Sequence, residues 1–227
     1  MKNQEFIHVY FVPGLAAGKE IFKYIELPVN RYKTHFLEWL IPENGEDISH
    51  YASRMAGLVK EKNPVLIGVS FGGVIVQEMS RFIKLKKLII ISSVKTKHEL
   101  PLHLRLLRKT KAYKLAPTKA FSKIQDFTKF AIGTKTKKKL RLYQKYLSVR
   151  NSQYLDWAIK NMVCWDRENP DENVIHIHGD KDPVFPVEYI KNGIQIKGAT
   201  HILILTKAKW LNKNLPLIIE NNTLPNT

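Results

Sequence analysis

Short apolar runs punctuate the chain at residues 6–12, 34–39, 64–69, 87–91, 174–177 and 194–196. Each has strand length, and several are apolar at every position rather than every second one. Between them apolar residues recur at helical spacing. Ile48, Tyr51, Ala52, Met55, Ala56 and Val59 form one such stripe, with Asp47 placed to cap it. Residues 19–25, 72–83, 187–190 and 202–211 give further helical segments. Strands that are buried on both faces and alternate with helices predict an α/β fold, with a mostly parallel sheet of about six strands and helices on both sides.

The rhythm breaks between residues 95 and 165. Leu102-Leu104-Leu106-Leu107, Phe121-Ile124-Phe127 and Leu140-Tyr143-Tyr146-Leu147 are helical patterns, and no strand stands among them. The expected organisation is a core of residues 1–94 and 166–227, with a helical insertion of 95–165 after the fourth strand. The tail from Leu215, with Pro216 and Pro225, is expected to be loosely ordered.

Composition narrows the class. A chain of 227 residues, 44% hydrophobic and 10% aromatic, buries a full core without staples. Its one cysteine excludes a disulfide framework and a Cys-based zinc site. No apolar run approaches the about 20 residues that span a bilayer. The polar start, 1–5, and the short run after it do not resemble a signal segment, so a cytoplasmic location is expected.

The net charge is +17. Residues 95–150 hold seventeen Lys and Arg against Glu99 and Asp126, while the rest of the chain is nearly balanced. Concentration in one quarter of the chain argues against a general nucleic-acid surface, for which no motif is present. It is either a solvated helical face or a patch for an anionic partner.

The chemistry-bearing motif is Gly68-Val69-Ser70-Phe71-Gly72, set where a buried strand meets a helix. A sharp turn there needs small flanking residues and lifts a serine hydroxyl out of the sheet. Two more motifs follow strands, His178-Gly179-Asp180-Lys181-Asp182-Pro183 and Gly198-Ala199-Thr200-His201. Serine, aspartate and histidine in that order, each at a strand end, resemble the α/β-hydrolase superfamily over residues 6 to about 211. Like its small esterases, the chain would carry a helical lid.

The resemblance implies roles. Ser70 would be the nucleophile, His201 its base and Asp182 the acid that orients the base. The family's H-G-x-x-D-x-x-x-P spacing selects Asp182 over Asp180 and is completed by Pro186. Oxyanion donors would be the backbone N–H groups of Phe71 and of Leu15, with Ala16 as the alternative for the second. The implied activity is cleavage of a carboxylic ester or thioester, without a cofactor. Relatives also run carbon–carbon hydrolase or lyase reactions, and a non-catalytic binder of this fold is a further alternative. Serine rather than aspartate at position 70 argues against haloalkane dehalogenase or epoxide hydrolase chemistry.

The insertion would then form the lid. Leu102, Leu106, Phe121, Phe127, Phe130, Trp157 and Trp165 are candidates for its substrate wall, each also explicable as ordinary core. Lys109, Lys111, Lys114, Lys137, Lys138, Lys139 and Arg141 are candidates for a patch facing an anionic partner. In plan this is similar to the pimeloyl-acyl-carrier-protein methyl esterases, where basic lid residues meet an acidic carrier protein; an anionic membrane surface or a coenzyme A moiety would use the same charges. His176 is expected to be structural and His178 to brace the acid loop. His8, His35, His50, His98 and His103 show no constellation around them, and no metal site is expected from spacing.

Overall fold

A computed structural model describes residues 5–115 and 146–221. Six strands build one sheet. They are β1 (Ile7–Val12), β2 (Tyr32–Phe36), β3 (Val65–Val69), β4 (Lys87–Ile91), β5 (Val174–Gly179) and β6 (Ile194–Ile196). Their order is β2-β1-β3-β4-β5-β6, and all five pairings are parallel. The chain moves outward from β1 to β2, then returns to place β3 on the other side of β1. A parallel sheet opens a crevice at such a reversal, beyond the C-terminal strand ends. Val12, the last residue of β1, pairs with Gly68, one residue before the end of β3.

The central strands explain the continuous apolar runs. All five residues of β3 and four of five in β4 are buried. Helix α1 (Ile48–Ala56) buries Tyr51, Ala52, Met55 and Ala56, and Asp47 caps it by accepting from the His50 amide at 2.8 Å. Helix α2 (Phe71–Met79) is buried at every position and packs on β1, β3, β4 and α1.

The described parts of the insertion are helical. They comprise α3 (Leu102–Thr110), a 3-10 turn at Ala112–Leu115 and α4 (Ser152–Cys164). The expected patterns at Phe121-Ile124-Phe127 and Leu140-Tyr143 lie outside the described residues. The start of the insertion is stitched to the β5–β6 connection. Buried Glu99 accepts from the Lys95 amide at 2.6 Å and from the Lys191 amide at 3.1 Å.

Two expectations need correction. The second strand runs over Tyr32–Phe36 rather than 34–39. Its pairing with β1 begins at Ile7 opposite Tyr32, and Trp39 has already left the sheet. The end of the chain is also more ordered than expected. After α5 (Leu203–Thr206), helix α6 (Ala208–Glu220) continues through Pro216. Proline removes one helical hydrogen bond. Burial of Leu215, Ile218 and Ile219 offsets that, and Tyr32 Oη donates to Glu220. Residues from 222 on lie outside the described ones. No helix among the described residues is long and apolar enough to cross a membrane.

Candidate active site

Ser70 sits between β3 and α2 with φ 53° and ψ −120°. That backbone costs on the order of 1–3 kcal/mol for a non-glycine residue, so its surroundings must hold it. They do so with three hydrogen bonds. The Ser70 amide donates to the Ile91 carbonyl at 2.9 Å, and the Ser70 carbonyl accepts from the Gly73 amide at 2.8 Å and from Ser93 Oγ at 2.7 Å. The flanking glycines are demanded by contact. A Cβ on Gly68 would lie 2.3 Å from the Gly72 carbonyl oxygen, and one on Gly72 would lie 2.2 Å from that of Pro13. The second contact also shows how tightly the loop after β1 is pressed against the Ser70 turn.

His201 Nε2 lies 3.0 Å from Ser70 Oγ. Its Nδ1 lies 2.9 Å from Asp182 Oδ2 and 3.2 Å from Oδ1. A carboxylate only accepts, so Nδ1 carries the proton and Nε2 is left to accept from the serine hydroxyl. Asp182 is itself oriented, because Oδ1 accepts from the amides of Val184 at 2.8 Å and Phe185 at 3.1 Å. All three side chains are buried. Asp180, the competing carboxylate in the sequence, makes no such contact among the described residues, where its Oδ1 is buried without a partner. The arrangement can draw a proton from Ser70 Oγ and stabilise the cationic imidazole that results.

His178 Nε2 lies 2.8 Å from the Phe185 carbonyl oxygen, and its Nδ1 lies 3.1 Å from His176 Nε2. Burial pushes both imidazoles below the ordinary histidine range, His176 furthest.

The loop after β1 turns at Gly14–Ala17, where the Ala17 amide donates to the Gly14 carbonyl at 3.0 Å and Ala16 takes φ 62°. Trp39 Nε1 donates to the carbonyls of Gly14 at 3.3 Å and Ala17 at 3.1 Å. Val149 donates its amide to the Ala16 carbonyl at 3.0 Å. Tyr154 Oη is buried with no hydrogen-bond partner among the described residues, and desolvation pushes its hydroxyl far up. The amides of Leu15 and Phe71 have no acceptor among the described residues.

The other sequence candidates are spread around this centre. Trp157 is buried, with its ring 4.1 Å from that of Tyr51 and edge-on to Phe71 at 6.0 Å, and its indole donates to the Glu46 carbonyl at 2.8 Å. Trp165 is buried elsewhere, donating to Glu78 Oε1 at 3.0 Å. Leu102 and Leu106 are exposed on α3, and Lys109, Lys111 and Lys114 are exposed beside them. Phe121, Phe127, Phe130, Lys137, Lys138, Lys139 and Arg141 lie outside the described residues.

Sequence reasoning missed Trp39, Ser93 and Tyr154, whose roles come from contacts between distant segments. It also found no partners for His8 and His35, which the structure sets 2.9 Å apart.

The chain matches no protein-family profile and no curated protein at the level of sequence. Its architecture is shared with solved structures. A bromoperoxidase from Bacillus anthracis has TM-score 0.68 and 19% identity over 96% of this chain and 93% of its own. Work on carboxylesterases of the thaumarchaeon Nitrososphaera gargenis supplies a structure with TM-score 0.70 and 13% identity, over 98% and 94%. An epoxide hydrolase of Bacillus megaterium has TM-score 0.62 and 16% identity, over 96% and 94%.

Proposed function

The chain has the α/β-hydrolase fold, and within it we propose a serine hydrolase that cleaves a carboxylic ester or thioester. The observation that carries this reading is the relay from Ser70 through His201 to Asp182 on a strained turn. Fold alone does not carry it, because one fold hosts several reactions.

In this reading Ser70 Oγ attacks the carbonyl carbon while its proton passes to His201 Nε2. The new oxyanion accepts hydrogen bonds from the amides of Phe71 and Leu15, which lack other acceptors among the described residues. The Ala16 amide, which likewise has no acceptor among the described residues, is the alternative to Leu15. His201 then gives the proton to the departing alcohol or thiol as the carbonyl bond to it breaks. Water, deprotonated by the same imidazole, attacks the acyl-enzyme and releases the carboxylic acid with Ser70 restored. Asp182 holds the imidazole in its tautomer throughout.

We assign residues 95–165 as the lid over a core of 1–94 and 166–227. The exposed Lys109, Lys111 and Lys114 support an anionic partner, for which an acidic carrier protein, an anionic membrane surface or a coenzyme A moiety would serve alike. A reducing cytoplasm fits the single Cys164.

The test is labelling of wild type and Ser70→Ala with a fluorophosphonate probe, beside hydrolysis of p-nitrophenyl esters of rising acyl length. Labelling and turnover lost together in Ser70→Ala are expected. Folded wild type that neither labels nor hydrolyses any ester overturns the reading.

A further inference from the structure

The imidazoles of His8 and His35 meet across the pairing of β1 with β2. His8 lies opposite Lys33, and Tyr10 opposite His35, so the histidines and Tyr10 share one face of the sheet. His8 Nδ1 is 2.9 Å from His35 Nε2 and 3.5 Å from Glu61 Oε1. Glu61 comes from the segment between α1 and β3. All three are half-buried, and their ligand atoms lie within 4.8 Å of one another. A tetrahedral ion with bonds of about 2.0–2.1 Å spaces its ligand atoms about 3.3 Å apart. The two shorter separations bracket that value.

The donors are also held from behind. Tyr10 Oη donates to Glu61 Oε2, which leaves Oε1 for the imidazole side. The Tyr10 ring stacks on His35 with centroids 4.4 Å apart and planes 13° from parallel. The Lys60 amide fixes Tyr10 Oη in turn, at 3.3 Å. Outer hydrogen bonds of this kind orient metal-binding carboxylates and rings. Burial lowers His35 below the ordinary histidine range, and the tyrosine hydroxyl holds Glu61 below the ordinary carboxylate range.

A second triplet, Glu43, Glu46 and His50, is a poorer host. Arg54 already grips Glu46 at 2.8 and 3.0 Å. Among the described residues the ion-pair partner of Glu61 is His8.

We infer that His8, His35 and Glu61 form a site for a zinc-class divalent cation, ligated through Nδ1, Nε2 and Oε1 with a fourth position open to water. Two imidazoles and a carboxylate are the donor set such a cation prefers when thiolates are absent. The ion would tie β1, β2 and the segment entering β3 together. The site shares no residue with the Ser70 centre, so it stands apart from the proposed reaction.

The test is calorimetric titration of the EDTA-treated full chain with zinc chloride, repeated with cobalt(II) for its visible spectrum. One equivalent per chain and the absorption bands of tetrahedral cobalt are expected. Outer-shell partners alone are worth about 10- to 100-fold in affinity, so His35→Asn and Glu61→Gln should each weaken zinc at least about 100-fold. Tyr10→Phe should weaken it about tenfold. Metal-free melting temperatures check that each variant is folded, and Glu61→Gln, at a half-exposed position, decides if the histidine variant is not. No uptake by wild type, or equal uptake by folded Glu61→Gln, overturns the inference.

Discussion

Ser93 Oγ donates to the Ser70 carbonyl at 2.7 Å, joining the ends of β4 and β3 directly beneath the proposed nucleophile. That carbonyl belongs to the residue with φ 53°, so the bond holds a conformation the backbone does not favour. Ser93→Ala is expected to cost about 1 kcal/mol, lowering Tm by about 2–4 °C. The turn should relax as well, so kcat for ester cleavage should fall about tenfold with KM within about twofold. Unchanged kcat in a folded Ser93→Ala protein would show that the Ser70–Ile91 and Gly73–Ser70 backbone bonds secure the turn without Ser93.

Trp39 performs a similar service for the loop after β1. Its indole N–H is shared between the carbonyls of Gly14 and Ala17, and its ring stacks on Phe71 and lies tilted against Tyr154. Trp39→Phe keeps most of the stacking and removes the donor. If the Leu15 amide binds the oxyanion, the loss should appear in the transition state, with kcat down about tenfold and KM little changed. A rise in KM at constant kcat would instead make Trp39 a substrate-binding group.

The Ser70, Asp182 and His201 relay was legible because each residue sits in a short motif at a strand end, and local sequence carries such motifs. Trp39 was not, because its position after an apolar run reads as strand. Its role depends on where β2 stops pairing with β1. The meeting of His8 with His35 depends on strand register, which periodicity does not encode across 27 residues. Pro216 misled differently. Read locally it ends a helix, yet the buried face formed by Leu211, Leu215, Ile218 and Ile219 outweighs the one lost bond.

That last point can be measured. Ile218 is buried and Leu217, its neighbour in α6, is exposed. Ile218→Ala should cost about 2–5 kcal/mol and lower Tm by roughly 5–15 °C. Leu217→Ala should stay within about 0.5 kcal/mol of wild type. Equal and small effects at both positions would mean that the segment after Pro216 does not pack as a helix in solution.

Acid should find the His176–His178 pair first. Both imidazoles are buried and held below the ordinary histidine value of about 6.5, whereas the unfolded chain restores that value. Below about pH 6.5 the unfolded state therefore binds protons that the folded state refuses. Stability is fully present above that pH and is lost as pH falls, by up to about 1.4 kcal/mol per pH unit for His176. Asp182, 3.6 Å from His178 Nε2, favours protonation of His178 and makes its share smaller. Lys95 opposes protonation of His176, and the Ser93 backbone favours it weakly. His176→Gln keeps a donor for His178 and cannot titrate here. Urea denaturation from pH 7.5 to 5 should show wild type losing stability steeply below pH 6.5, and His176→Gln losing it with a slope lower by about one proton. Parallel pH profiles for the two proteins would mean that His176 takes up its proton in the folded state, and that the buried pair does not set the acid limit.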